Sequence, residues 1–349
     1  MMAKRKGKVP HEAERAARPQ VEGSQQGCEA SASSRAELAG AEQHWLLRLW
    51  QRYVVQGFEE DEQQSRAQTA ARPPWRIDWT VVGIFVLASV CLSLIEYVGK
   101  SQYYWEYIHA RPLGEGVLDH LRVDFARNPS EAPSLWFRLG VLTQPLYDSR
   151  SAQGQIGQLL YWAFWCVTAY FVLPALFVKL VLRRKLSDFG LRLRGVIRHL
   201  WLYLLMFAVV LPLVFVVSSE DSFKQTYPFY RNAPADPGGF WTWELAYAAQ
   251  FFSLEFFFRG FLVHGLKHRL GAYAVMAMVL PYCMIHFGKP LPETMGAIIA
   301  GTVLGFLSLR SGSIVLGFLI HVSVALSMDL VSLWRQDQLQ PIISWIISR

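Results

Sequence analysis

The chain alternates long apolar stretches with short polar connections, and that alternation defines its elements. A bilayer-crossing helix needs ~20 mostly apolar residues. Stretches of about that kind run over Trp79–Val98, Ile156–Leu182, His199–Val217, Phe240–Val263, Ala272–Ile285, Met295–Leu309 and Ile314–Leu333. The pattern predicts an all-α fold, a polytopic membrane helical bundle of about seven transmembrane helices. Glu96 sits near the end of the first stretch, and only Pro174 interrupts the second. The last four are shorter or carry polar residues, and Pro341–Ile347 is too short to span.

Ahead of these stretches the pattern is different. Met1–Ser34 is polar, mixed in charge and rich in Ala, Ser and Gln, the composition of a disordered tail. From Ala36 to Phe58, Leu38, Trp45, Leu46, Leu49, Trp50, Tyr53 and Val54 recur at helical spacing. They predict an amphipathic helix whose aromatic face suits a membrane interface or a docking surface. Glu59–Glu62 and Pro73-Pro74 close that segment, and Lys4–Lys8 lead into no apolar core, so no signal peptide is expected. The expected organisation is an N-terminal extension over 1–75, two helices joined by a long exported loop over 76–184, a core over 185–333 and a tail over 334–349.

Composition supports the membrane reading. The 349 residues are 52% hydrophobic and 17% charged, whereas soluble domains run near ~45–50% and ~25%. That excludes an ordinary soluble domain and a disordered chain. Cys28, Cys91, Cys166 and Cys283 are far apart without CxxC spacing and read as small packing residues. The net charge of +7 has an address: Lys179, Arg183, Arg184, Lys185, Arg192, Arg194 and Arg198 face one acid, Asp188. Residues 1–76 hold 12 basic and 10 acidic side chains, close to balance. A basic connection marks the cytoplasmic side, so the charge reports topology and calls for no nucleic acid. Lys267–Arg269 and Arg310 mark further cytoplasmic turns, the loops Gly99–Gln155 and Ser218–Gly239 are exported, and the N-terminus lies inside.

Charges at membrane depth cost at least ~2.5 kcal/mol each and mark functional candidates. Glu255 and Arg259, four residues apart, share a helix face and can pair. His286 closes the fifth stretch and His321 lies in the seventh. Glu255 is 15 residues before Leu270 and His286 is 16 after it, which puts both roughly 23 Å from that turn at 1.5 Å per residue. His321 is 10 residues beyond Ser311, roughly 15 Å along its helix. Glu255, His286 and His321 can thus share a layer and activate water, the carboxylate taking the proton and the histidines holding water and oxyanion. The same trio could instead bind zinc. His264 and His268 also have ligand spacing, but Lys267 and Arg269 beside them favour a solvated helix end. Glu293 suits a helix N-terminus and could touch substrate, Gly301-xxx-Gly305 suits close helix packing, and Glu96 and Glu244 read as interfacial.

The segments Glu255-xxx-Arg259 and Tyr282-xxx-His286, with His321 on a late helix, resemble the three motifs of the CPBP intramembrane proteases. These are relatives of the type II CAAX prenyl endopeptidase and of bacteriocin-immunity proteins. Asp188–Arg192 resembles the stretch that precedes their core, so the resemblance covers Lys185 to Leu333. His286–Pro290 and Ser327–Asp329 resemble an exosortase- or myxosortase-like bacterial branch. The resemblance implies a glutamic-type protease, formerly classed as a metalloprotease, in a bacterial cytoplasmic (inner) membrane. It implies catalytic Glu255, His286 and His321, with Arg259, Tyr282, Asp329 and Glu293 in support and no cofactor. The partners it implies are the lipid bilayer and a membrane-anchored or C-terminally tethered protein or peptide substrate. Two positions depart from the pattern. Leu254 stands where the first of two glutamates is usual, and Ala325 where a polar residue follows the third-motif His; Asp329 could substitute. The alternative is a catalytically inactive pseudoprotease serving as membrane scaffold or immunity factor. A transporter is disfavoured, because no inverted repeat or pair of broken helices is evident.

Overall fold

The structure is a computed structural model describing residues 48, 51, 55–70, 77–104, 151–193, 196–289 and 291–348. The chain divides into two units, Met1–Arg52 and Tyr53–Arg349. Of the first, only Arg48 and Gln51 are among the described residues. Most of the predicted amphipathic helix and of the loop Gly99–Gln155 therefore lies outside them.

The second unit is all-helical among the described residues. Among the described residues, five helices are long and apolar enough to cross a membrane: α2 (Trp79–Gly99), α3 (Ala152–Val181), α4 (Val196–Val217), α9 (Leu291–Ser311) and α10 (Val315–Arg335). The shorter apolar α8 (Tyr273–Met284) packs along α9. Most side chains of α2 and α4 face outward, including Val86, Leu204, Val209 and Leu213, as lipid-facing helices require. Pro174 does not end α3; wider turns at Thr168–Val172 and Phe177–Val181 flank it and carry the helix on.

The remaining predicted crossing is a different kind of element. α6 (Pro237–Glu255) continues without a break through a π-helical stretch, Phe256–His264, into α7 (Gly265–Leu270). It begins where Asp236 accepts a hydrogen bond from the Gly239 amide, with Pro237 in the first turn. All nine residues of the π stretch are buried. An element buried all round is wrapped by protein rather than lipid, so it tolerates polar groups that a lipid-facing crossing would not. Its Phe257 and Phe261 join Ile84, Cys91, Cys166 and Tyr170 in the core.

Sequence reading missed α1 (Gln56–Ala70), a polar helix in a region expected to be the segment's end. It is held by cross-chain contacts that no local pattern encodes: Phe58 packs edge-on against Tyr273, and Arg310 Nη1 lies 2.7 Å from Glu60 Oε2. His268 meets Asp78 at 3.1 Å and Arg192 donates to Gly312 O at 2.6 Å at the same end of the bundle. The three connections expected on one side of the membrane therefore do share one end. At the other end Asn232 donates to Gln155 and Arg335 to Ser218. There the predicted loop Ser218–Gly239 folds into α5 (Asp221–Thr226) and a turn that buries Tyr227 and Tyr230. The chain closes with α11 (Gln340–Ile347).

Two further expectations change. His264 is not at a solvated helix end; the helix continues to Leu270, so His264 is buried, 3.0 Å from the Ser308 hydroxyl. Glu244, expected at the interface, turns inward: its Oε1 is buried and it faces Asp329 across α6 and α10. Glu96 does remain at the surface, paired with Lys100.

Candidate active site

The site forms where the central helix meets α10 and α8. Glu255 ends the α-helical part of α6 and Arg259 sits one turn on, inside the π stretch. Wider π turns recur at functional sites. Glu255 Oε1 lies 3.0 Å from Arg259 Nη1 and 2.7 Å from His321 Nδ1 on α10. Both members of the first pair are buried, Glu255 at 1% and Arg259 at 0% exposure. A buried carboxylate keeps its charge only with a partner, and here one oxygen has two. Oε2 has no hydrogen-bond partner among the described residues. It points at Gly317, one helical turn before His321, where a Cβ would overlap the carboxylate. Glycine is what allows α10 to approach the charge this closely.

The far nitrogen of His321 is also engaged. Tyr282 Oη lies 3.1 Å from His321 Nε2, and Phe251 stacks on the imidazole at 5.5 Å with the rings 5° apart. A carboxylate only accepts, so the nitrogen facing Glu255 carries the hydrogen and Nε2 accepts from the phenol. The Arg259 guanidinium lies 4.3 Å from the centre of the Tyr282 ring, a cation–π contact. Arg259, Glu255, His321 and Tyr282 are one connected group drawn from three helices.

His286 stands beside this group. It occupies the turn after α8, its ring 4.9 Å from that of Tyr282, and its Nδ1 donates to the Tyr282 carbonyl at 2.8 Å. That bond leaves Nε2 with a lone pair. Burial, and then the Lys289 ammonium, push His286 down to about 4, so it is neutral at ordinary pH. Glu293, in the first turn of α9, is flanked by Lys289 and accepts from Tyr227 Oη at 3.3 Å. Asp329 is fully buried against Glu244 rather than beside His321.

The co-level placement of Glu255 and His321 becomes a direct contact, whereas His286 is linked through Tyr282. Among the described residues no group of three His, Cys, Asp or Glu side chains stands close enough to hold a metal ion. The donors among the described residues do not converge as a zinc site requires. Sequence reading missed Phe251 and Gly317. Each lies four residues from a candidate, Phe251 from Glu255 and Gly317 from His321, so helical spacing alone could have found them.

Residues 236–327 match the protein-family model described as Rce1-like: Type II CAAX prenyl endopeptidase Rce1-like. That segment is therefore similar to the CPBP-type intramembrane proteases. The Rce1-like segment starts at the cap of α6 and ends within α10, so it includes Glu255, Arg259, Tyr282, His286, Glu293 and His321 and leaves out Asp329. It also leaves out Asp188–Arg192, where the resemblance had been extended. No curated protein and no solved structure matches the chain.

Proposed function

We propose that this chain is an intramembrane endopeptidase that hydrolyses a peptide bond of a membrane-anchored or C-terminally tethered substrate with a Glu/His-activated water. The observation that carries the proposal is the buried group Arg259–Glu255–His321, with neutral His286 beside it, inside the Rce1-like segment. Glu255 backs His321 as a carboxylate orients an imidazole base. The attacking water gives one proton to His321 Nε2 and donates its other hydrogen to His286 Nε2, which aims the oxygen at the scissile carbonyl. When the tetrahedral intermediate collapses, the proton on His321 passes to the leaving amine, so protons balance over the cycle. Leu254 removes the usual first glutamate, and Glu255 then serves Arg259 and His321 together. No cofactor is needed for these steps.

The proposed setting is a bacterial inner membrane with the N-terminus inside, supported by the gathering of the basic connections at one end of the bundle. Lipid and a tethered polypeptide are the partners; nucleic acid is not. Leu254 and Ala325 favour a second reading, a pseudoprotease scaffold or immunity factor on the same fold. Purified protein in liposomes, given membrane-tethered peptides, separates the two. Glu255→Gln, His286→Ala and His321→Ala should each abolish cleavage seen with the unsubstituted chain. Full cleavage by Glu255→Gln or His286→Ala would overturn the mechanism, and unchanged biological phenotypes in both would favour the scaffold. Stoichiometric zinc that vanishes with His286→Ala would overturn its metal-free form.

A further inference from the structure

Tyr282 touches Arg259, His286 and His321, and it does so through three different parts of the residue. Its backbone carbonyl accepts from His286 Nδ1 at 2.8 Å. Its phenol lies 3.1 Å from His321 Nε2. Its ring face holds the Arg259 guanidinium at 4.3 Å. The space for that ring is built in, because a Cβ at Gly301 would lie 2.8 Å from Tyr282 Cδ1. Phe258 closes the other side at 5.1 Å, edge to face. The ring is thus confined, and its hydroxyl is only 3% exposed with the rest of the residue.

An aromatic ring alone would fill this space and meet Arg259. The hydroxyl adds something packing does not need: a donor aimed at the one nitrogen of His321 that Glu255 leaves free. We propose that Tyr282 is the positioning residue that couples the two histidines, fixing both as tautomers with hydrogen on Nδ1 and a lone pair on Nε2. The carbonyl does this for His286. The phenol, together with Glu255, does it for His321 and holds the ring's tilt until a water takes the phenol's place. The inference rests on the catalytic reading above for its kinetic consequence, but the tautomers themselves can be read without any activity.

The test compares the full-length protein with Tyr282→Phe, which keeps ring, cation–π contact and carbonyl and removes only the hydroxyl. Nitrogen NMR of histidine-labelled protein should show Nε2 of His321 shifted in the variant while His286 keeps its signals. With a tethered peptide, kcat should fall about tenfold, the scale of one lost hydrogen bond, with KM within about twofold. Gly301→Ala, which crowds the same ring, should shift the same His321 signal. An unmoved His321 signal in Tyr282→Phe would overturn the coupling whether or not the protein cleaves anything. Unchanged or increased kcat with a shifted signal would overturn its role in positioning while leaving the protease reading in place. Loss of cleavage in Glu255→Gln but none of these changes in Tyr282→Phe would do the same.

Discussion

Helices α6 and α10 bury a glutamate of α6 against a side chain of α10 twice, with opposite outcomes. At one level Glu255 meets the Arg259 guanidinium at 3.0 Å and His321 Nδ1 at 2.7 Å, so its charge has one cation and one further donor. Eleven residues earlier on α6, roughly 16 Å away at 1.5 Å per residue, Glu244 meets Asp329. There both Asp329 oxygens and Glu244 Oε1 are buried without a donor among the described residues. Two carboxyl groups bond each other only by sharing a proton. The comparison teaches that burial of an acid in this bundle is not by itself a mark of chemistry. What sets Glu255 apart is a guanidinium and an imidazole on one oxygen, with the imidazole's other nitrogen already aimed.

Substitutions can break that contrast. Glu255→Gln should have the largest effect: about 10³-fold or more in kcat/KM, the scale of removing a carboxylate behind a catalytic histidine. It should also lower stability by about 3–5 kcal/mol, because Arg259 is left buried without its counter-ion. Steady-state cleavage and thermal unfolding in detergent check both. Next comes Gly317→Ala. Its methyl would overlap Glu255 Oε2, and overpacking of this kind costs about 1–3 kcal/mol, with kcat falling as the carboxylate is displaced from His321.

Glu244→Gln should do far less. An amide can donate to Asp329 without the shared proton, so stability should stay within about 1 kcal/mol and cleavage should be unaffected. A collapse of activity in Glu244→Gln would erase the distinction between the two levels. The smallest expected effect sharpens the role of His286. Its lone pair is available above about 4, so protonation of His286 should contribute an acid limb there. Lys289 helps hold that value down. Lys289→Gln removes a repelling positive charge, so His286 should protonate more readily and the limb should move to higher pH.

How much of this was legible along the chain depends on the separation of the residues involved. The Glu255–Arg259 pair is a matter of helical spacing; counting residues from the turns put Glu255 and His286 at equal depth and allowed His321 in the same layer, but only packing decided that His321 meets the carboxylate. The apolar stretches marked the lipid-facing helices because lipid imposes one composition over a whole crossing. The central helix was legible as a crossing but not as the buried axis, since burial by neighbouring helices leaves no period of its own. α1 has no apolar pattern and is held by Glu60–Arg310 and Phe58–Tyr273, pairs more than 200 residues apart. Glu244 and Asp329 likewise met only once α6 and α10 were packed. Tyr282 was visible as the aromatic of a motif, while its hydroxyl became meaningful only against His321.

The most direct test of the central claim is the mass of the products. Terminal peptides of membrane-anchored proteins would be compared in cells carrying the unsubstituted chain, Glu255→Gln, or no copy. The account predicts recurrent new C-termini with the unsubstituted chain that vanish in both other cases. The same new C-termini persisting with Glu255→Gln, at levels matched to the unsubstituted protein, would contradict it.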